Sequence, residues 1–133
     1  MSIKRFGVSL EEDVLKTLDN YVVENSFSNR SQALRFLIEK QSVKKKWKED
    51  QLVAGVLVLV YDHHKRDITN QLVEVQHDYH HHIIAVQHVH LDHHNCLETI
   101  ALKGRAIELT DLSNRIIGLK GIRNGKLVMS LVG

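Results

Sequence analysis

An uninterrupted apolar run in the middle of the chain, Leu52–Tyr61, is the feature that most restricts the fold. Its sequence, LVAGVLVLVY, is rich in β-branched residues, and no apolar run in the chain is long enough to predict a membrane span. Such a run predicts a strand that is buried in a sheet. A strand of this kind needs neighbours, so the residues that follow should supply further strands.

The remainder of the second half alternates between strand-like and helix-like periodicity. Lys103-Gly104 is expected to end the third strand, and Gly121 is expected to separate the last helix from the last strand. The resulting order, βαββαβ, is that of the ferredoxin-like motif. The elements predicted after the first strand are a polar segment at Asp62–Asp67, a helix from Ile68 to about His80, a strand at Ile83–Leu91, a turn at Asp92–Asn95, a strand at Cys96–Leu102, a helix at Arg105–Leu119 and a strand at Lys126–Leu131.

The first half has a different pattern. Ile3–Leu10 alternates apolar and polar residues, which predicts a short strand. Ser9 opens a possible capping box with Glu12, and helical spacing then predicts a helix that runs to about Asn25. The polar turn that follows offers Asn29 as a helix N-cap, and a second helix should continue through Trp47.

A strand–helix–helix unit of about 45 residues is too small to bury a sufficient core alone. Its single strand would also leave both edges unpaired. Two copies remove both defects if their strands pair, which is the ribbon–helix–helix arrangement of a known DNA-binding class. We therefore predict an α+β chain with a ribbon–helix–helix (βαα) domain at residues 1–48 and a ferredoxin-like, ACT-type (βαββαβ) domain at residues 51–133.

The distribution of charge and the cysteine content indicate which partner and which cellular location to expect. Residues 1–48 hold ten Lys or Arg and six Asp or Glu, a net charge of +4, whereas residues 49–133 hold eight and ten, a net charge of −2. The basic half is the candidate for binding a polyanion such as double-stranded DNA. Cys96 is the only cysteine and the N-terminus lacks a signal-peptide pattern, so a cytoplasmic location without a membrane is expected.

All ten histidines lie between His63 and His94, and three residues there have the spacing of metal ligands. His88 and His90 are two apart on a predicted strand, so both imidazoles project to one face. Cys96 begins the next strand of the predicted hairpin. Imidazole nitrogen and thiolate sulfur suit Ni²⁺, Cu²⁺ or Zn²⁺.

A fourth ligand should come from the helix before this hairpin. His77 is a candidate, although spacing alone would equally allow the neighbours at His80–His82. Gln76 and Glu98 flank the ligands and could orient them, since ligating histidines usually donate their second ring N–H to an acceptor. A solvent-exposed strand glutamate is the alternative for Glu98.

The DNA-binding surface should combine the first strand with the start of the second helix. Arg5 could reach a base edge or a phosphate, and Gly7 allows close backbone approach. Ser9 could contact DNA instead of capping the helix. Asn29 and Arg30 begin the second helix, whose N-terminus could bind phosphate, although an ordinary N-cap explains Asn29 equally well.

The whole chain resembles the NikR family of nickel-responsive regulators. The motifs that carry the resemblance are Gln76-His77, His88-Val89-His90, Asp92-His93 and Asn95-Cys96-Leu97-Glu98. The resemblance implies that His77, His88, His90 and Cys96 hold one Ni²⁺ in a square plane, with His77 supplied by a neighbouring chain. It also implies a homotetramer, a dimer of dimers, that binds operator DNA through strand positions Arg5, Gly7 and Ser9. Repression of nickel uptake is the implied output.

Three positions depart from the pattern of the family. Gln32 and Phe36 stand where many members carry carboxylates, which by resemblance help to hold a second cation in the DNA-bound form. Gly7 stands where relatives often have a side chain that can contact a base.

Other functions are possible for this sequence. A metal-dependent hydrolase would need an open coordination position, which four protein ligands do not leave. A ribbon–helix–helix regulator that senses another metal or an amino acid, and a histidine-rich metal-binding protein, are the remaining alternatives. The histidine and cysteine spacing argues against the amino acid, and the basic strand argues against a simple metal buffer.

Overall fold

The computed structural model describes residues 2–65 and 67–133; Met1 of the predicted first domain and Arg66 of the predicted polar segment lie outside them. The chain divides into two compact units, one ending at Gln41 and one beginning at Ser42. The division lies within a helix, ahead of the boundary between residues 48 and 51 that the sequence suggested. The last turns of that helix carry Trp47, which is buried in the core of the second unit, and Val43, which packs against that core.

The first unit contains α1 (Glu12–Glu24) and the start of α2 (Arg30–Lys48). Residues 2–11 are exposed and form no strand within this single chain. A strand needs a partner for its backbone hydrogen bonds, and the predicted partner belongs to a second copy, so the predicted pairing remains a prediction. The prediction of a capping box at Ser9 was wrong, because the N-cap residue of α1 is Glu11 and no side chain caps this helix.

The N-terminus of α2 is capped as the sequence predicted. Asn29 Oδ1 accepts a hydrogen bond from the backbone N–H of Gln32 at 2.9 Å. In return, Gln32 Oε1 accepts one from the backbone N–H of Ser28 at 3.0 Å. This reciprocal pair satisfies two backbone N–H donors at the start of α2.

The second unit is a four-stranded antiparallel sheet in the order β2-β3-β1-β4, with the predicted βαββαβ sequence of elements. The two helices that connect its strands pack on the face of the sheet that carries the buried side chains. Its elements are β1 (Leu52–Asp62), α3 (Ile68–Asp78), a short 3₁₀ turn (His80–His82), β2 (Ile83–His90), β3 (Asn95–Arg105), α4 (Ala106–Ile117) and β4 (Ile122–Ser130).

Two strand boundaries differ from the prediction by more than two residues. The third strand does not end at Lys103-Gly104 but continues to Arg105, because β1 is long enough to pair with it there: Val53 lies opposite Gly104 and Leu52 opposite Arg105. Likewise β4 begins at Ile122, earlier than expected, and pairs with the far end of β1. Both extensions follow from the length of β1, which supplies ladder partners that local sequence does not reveal.

The apolar run of β1 is buried on one face and only partly covered on the other. Val53, Leu57 and Leu59 are fully buried beneath the helices, and Tyr61 continues that row. On the opposite face Val56 is 37 % exposed, so the prediction of a fully buried strand holds for alternate residues only. The reason is that both helices lie on the same side of the sheet.

The C-terminal turn of α2 is attached to the sheet by Trp47. Its indole Nε1 donates to the backbone oxygen of Ser130 at 2.9 Å, and its ring lies over Gly55. A Cβ atom at Gly55 would lie 2.8 Å from the backbone oxygen of Val128 and 3.3 Å from the indole ring. Only glycine leaves room for this close approach.

Candidate metal centre

The antiparallel register of β2 and β3 places three of the four predicted ligands, His88, His90 and Cys96, on one face of a hairpin. His90 lies opposite Cys96, and His88 lies opposite Glu98. Directly opposed residues project to the same face, which here is the face that carries the helices. Because β2 is an edge strand, its two histidines are exposed, whereas Cys96 on the inner strand is buried.

The distances in this cluster are close to those of a metal centre. Cys96 Sγ lies 3.5 Å from His90 Nδ1, and the rings of His88 and His90 are 5.2 Å apart. The His90 imidazole and the Cys96 thiol are therefore neighbours at the end of the β2–β3 hairpin, and the His88 ring lies next to that of His90. This donor set fits a late first-row divalent ion.

The structure does not bring His77 into this cluster. His77 is exposed on α3 and its ring stacks on His80 at 5.9 Å. Within the described residues, the groups of possible metal ligands do not include His77 or His88. Of the neighbouring alternatives, His82 is engaged elsewhere, since its Nε2 lies 2.6 Å from Glu108 Oε2.

A histidine that the sequence did not single out approaches the thiol most closely. His63 Nδ1 lies 3.0 Å from Cys96 Sγ, and the His63 ring is 5.1 Å from that of His90. The sequence placed His63 only in the polar segment after the first strand. The proximity arises because Tyr61 pairs with Cys96 across β1 and β3, so the loop after β1 begins beside the thiol.

Glu98 is buried and links the hairpin to α3. It is only 6 % exposed; its Oε1 accepts from the Tyr61 hydroxyl at 3.0 Å and its Oε2 accepts from Gln76 Nε2 at 2.8 Å. The alternative of a solvent-exposed glutamate was therefore wrong. Within the single chain, the Glu98 carboxylate accepts hydrogen bonds from a phenol and an amide. The Tyr61 ring in turn stacks on the His88 ring, with centroids 6.1 Å apart.

Burial favours the uncharged forms of three side chains at this site, Cys96, Tyr61 and His63. Burial, followed by the negative charges of Asp62 and Glu98, raises the pKa of the Cys96 thiol. Burial also raises the pKa of Tyr61, with Glu98 adding to the effect, so the phenol remains a donor. Desolvation, with the neighbouring His64 and His90, lowers the pKa of His63, which leaves a neutral imidazole able to bind metal.

A second group of possible ligands lies on the adjoining loops. Asp62, His64 and His94 offer ligand atoms within 4.8 Å of one another. The loop that carries His94 is held by Asp92, whose carboxylate accepts from the backbone N–H groups of His94 and Asn95. These hydrogen bonds lower the pKa of Asp92 to about 2, and those donated by Asn95 have the largest effect.

The residues predicted to contact DNA lie on the surface of the first unit. Arg5, Gly7 and Ser9 are exposed, as are Asn29 and Arg30. Arg30 forms a two-pronged ion pair with an acidic side chain of α1: its Nε and Nη2 donate to the two carboxylate oxygens of Asp19 at 2.7 and 3.0 Å. Phe36, at one of the positions where relatives carry a carboxylate, packs against Phe27 with ring centroids 5.4 Å apart.

Comparison with known proteins identifies the family. Residues 54–130 match the family described as the NikR C-terminal nickel-binding domain. A protein of Syntrophus aciditrophicus is 47% identical over 98% of this chain and 96% of its own length, and one of Desulfotalea psychrophila is 44% identical over the same shares. Both bear the provisional name nickel-responsive regulator. The chain belongs to the NikR family. Its members are regulators rather than enzymes, and nickel is the ion that their C-terminal domain binds.

Solved structures confirm the fold of the second unit. The ACT domain of a GTP pyrophosphokinase from Chlorobium tepidum aligns with 59% of this chain and 100% of its own at a TM-score of 0.51 and 15% identity. An uncharacterized protein of Thermotoga maritima aligns with 59% of this chain and 98% of its own at a TM-score of 0.54 and 18% identity. These similarities show an ACT-like α+β domain. Among the described residues, no helix has the length and apolar character needed to cross a membrane.

Proposed function

We propose that this NikR-family chain is a cytoplasmic, DNA-binding transcription repressor, in which Ni²⁺ bound between subunits favours binding to operator DNA. The ligands are His88, His90 and Cys96 of one chain and His77 of a neighbouring chain. The observation that carries the proposal is the arrangement of three donors at an exposed sheet edge, with the fourth donor exposed on a helix outside the cluster.

The surface around the three donors supports a second chain as the source of the fourth. Val86 lies opposite the buried Ile100, and so shares a face with His88 and His90, yet it is 45 % exposed. Val86, His88 and His90 thus form an exposed strip on an edge strand. Such a surface is typical of a contact with another protein chain. A second copy that covers this strip could bring its own α3 and His77 to the metal.

Glu98 gives a physical connection between a chain's own ligands and the helix that serves its neighbour. Its carboxylate holds Gln76, which precedes His77 on α3, and its strand carries Cys96. Occupation of one centre can therefore influence the placement of a donor for another. Ni²⁺ can shift the equilibrium of the assembly only if it binds the DNA-competent arrangement more tightly.

The DNA-binding part of the proposal rests on the first unit. Its strand-forming segment is exposed and unpaired in one chain, and a second copy would complete a ribbon that carries Arg5 to the major groove. Two such dimers, joined by the sensing units in a homotetramer, would suit an operator with two half-sites. Family membership suggests nickel-uptake genes as the targets.

Mixing two defective chains tests the shared centre. Cys96→Ala should abolish tight nickel binding, and His77→Ala should do the same by removing the partner's donor. Co-expressed, the two variants should recover nickel–thiolate absorption, because a His77→Ala chain keeps three ligands and a Cys96→Ala chain can supply the missing His77. If all four ligands came from one chain, the mixed assembly would bind no more nickel than the separate variants.

Operator binding is tested with the same assemblies. Selection from random duplexes, followed by gel retardation with and without Ni²⁺, should yield a sequence that is bound only when nickel is present. Binding that is indifferent to nickel would contradict the regulatory part of the proposal.

A further inference from the structure

Gln32 and Phe36 stand where many members of the family carry carboxylates, which by resemblance help to hold a second cation in the DNA-bound form. The two residues are four positions apart on α2, so their side chains project from the same face of the helix. We propose that this face of α2 holds no cation, and that operator binding by this chain requires no ion besides Ni²⁺. For its functional meaning this inference rests on the function proposed above.

The two side chains do not have the chemistry of a site for a hard cation. Such ions take oxygen ligands, chiefly carboxylates, carbonyl groups and water. The Phe36 ring offers no oxygen, and Gln32 offers one uncharged amide oxygen. That oxygen accepts a hydrogen bond from the backbone N–H of Ser28 at 3.0 Å, so it is engaged in capping α2. The pair therefore supplies no negative charge and no second oxygen ligand.

Packing between aromatic rings occupies the position of the second carboxylate. The ring centroid of Phe36 lies 5.4 Å from that of Phe27, which in turn lies 5.6 Å from that of Tyr21 on α1. Tilted aromatic pairs at these distances attract each other. This row of rings joins α1, the turn and α2 through apolar contacts, at a place where a carboxylate would need a counter-ion.

The charges on α2 also oppose a bound cation. The helix has seven Lys or Arg residues and one Glu. That residue, Glu39, pairs with Arg35 at 3.2 Å, and the Asp19 carboxylate of α1 pairs with Arg30 at 2.7 Å. A cation on this face would be repelled by the two arginines, and no carboxylate of α2 is left to offset that repulsion.

The absence of this charge matters for DNA binding. α2 begins at Arg30, on the predicted DNA-binding surface. Carboxylates close to that surface would repel the phosphates of an operator unless a cation neutralised them. The amide of Gln32 and the ring of Phe36 carry no charge that needs neutralising, so the regulatory equilibrium can be set by nickel without a further ion.

Operator binding in different salts tests the proposal. Gel retardation is carried out with one Ni²⁺ per chain, first with tetramethylammonium as the only other small cation, and then with K⁺ or Mg²⁺ introduced at constant ionic strength. Neither ion should strengthen binding by as much as about fivefold, the lower end of typical allosteric coupling. Mg²⁺ should only weaken it, through competition for the phosphates. A larger gain in affinity with either ion would overturn the proposal.

Gln32→Glu combined with Phe36→Asp restores both carboxylates and is the matched variant. Its operator affinity should fall in tetramethylammonium and should rise about 5–150-fold when K⁺ or Mg²⁺ is introduced, because the restored charges then have a counter-ion. The nickel–thiolate absorption of this double variant should equal that of the unsubstituted protein in every buffer. Operator binding by the double variant that is equally strong in all buffers would overturn the role assigned to these two positions.

Thermal unfolding gives a readout that needs no operator. An ion that binds only the folded chain raises its melting temperature. K⁺ and Mg²⁺ should therefore raise the melting temperature of the nickel-loaded double variant more than that of the unsubstituted protein, and a rise as large in the unsubstituted protein would overturn the proposal. If nickel promotes no operator binding at all, the function proposed above fails, and these melting temperatures still decide whether this face of α2 holds an ion.

Discussion

The two units of this chain differ sharply in how they bury apolar side chains. Within residues 2–41, Ala33 is the only buried apolar residue, and Phe6 and Val8 are 79 % and 60 % exposed. The second unit has a continuous core between its sheet and its helices, in which Leu57, Leu59 and Leu109 are fully buried. The second unit therefore has a core of its own, whereas the first unit exposes apolar side chains that a partner surface would be expected to bury.

This difference indicates where each unit obtains its stability. The second unit can be stabilised within one chain, although it leaves one sheet edge and one sheet face partly open. The first unit has too little buried surface to offset the entropy lost on ordering its residues. Its order should therefore depend on a second copy, and the predictions below test that contrast from the largest effect to the smallest.

Removing core volume should damage the second unit most. Leu57→Ala should lower the free energy of unfolding by about 2–5 kcal/mol, because Leu57 is fully buried on β1. Urea unfolding followed by the fluorescence of Trp47, the only tryptophan, measures it. Val23→Ala in α1 is the control and should change stability by less than about 0.5 kcal/mol, since Val23 is 78 % exposed. Equal effects would refute the contrast between the units.

Arg5→Ala should damage the function of the first unit without affecting the second. Operator binding should weaken by about 1–3 kcal/mol if Arg5 reads a base edge. Nickel affinity should be unchanged. Gel retardation and a nickel titration of the same preparation check both statements, and unchanged operator affinity would show that Arg5 is only a solvated side chain.

Glu98→Ala should weaken the metal centre through the groups that it holds. Loss of the bonds to Tyr61 and Gln76 should lower nickel affinity about 10–100-fold. Glu98→Gln is the matched control: it keeps the shape and one acceptor and should lose less. Competition with a chelator measures both variants, and identical affinities in all three proteins would mean that Glu98 serves the fold alone.

Acid should weaken nickel binding through Cys96. Its pKa is raised, so the thiol is protonated at neutral pH and each bound ion must release that proton. Affinity should therefore fall about tenfold for each pH unit of acidification near neutrality, and should still rise above pH ~8.5, where an ordinary thiol would level off. A nickel titration across pH with a competing chelator measures the slope, and a plateau from neutral pH upward would contradict the raised pKa.

Sequence patterns predicted the second unit well and the first unit only in part. Sequence patterns located the four strands, α3 and α4, because β1, β3, α3 and α4 each pack one face on a common core. They did not predict that β3 passes through Gly104, since that depends on the length of β1 opposite. In the first unit, Asn29 caps α2 as expected, but Ser9 does not cap α1.

The sequence by itself determined the donor chemistry and the local geometry of the proposed nickel ligands. His88 and His90 share a face because side chains alternate along a strand, and Cys96 joins them because it lies just across a hairpin. Only the tertiary structure decided that Glu98 is buried between Tyr61 and Gln76, and that His63 lies beside the thiol. Those contacts join residues that are 22 to 37 positions apart in the sequence. They form because β1 pairs with β3 in one register and α3 packs on the sheet, and no local sequence pattern encodes either arrangement.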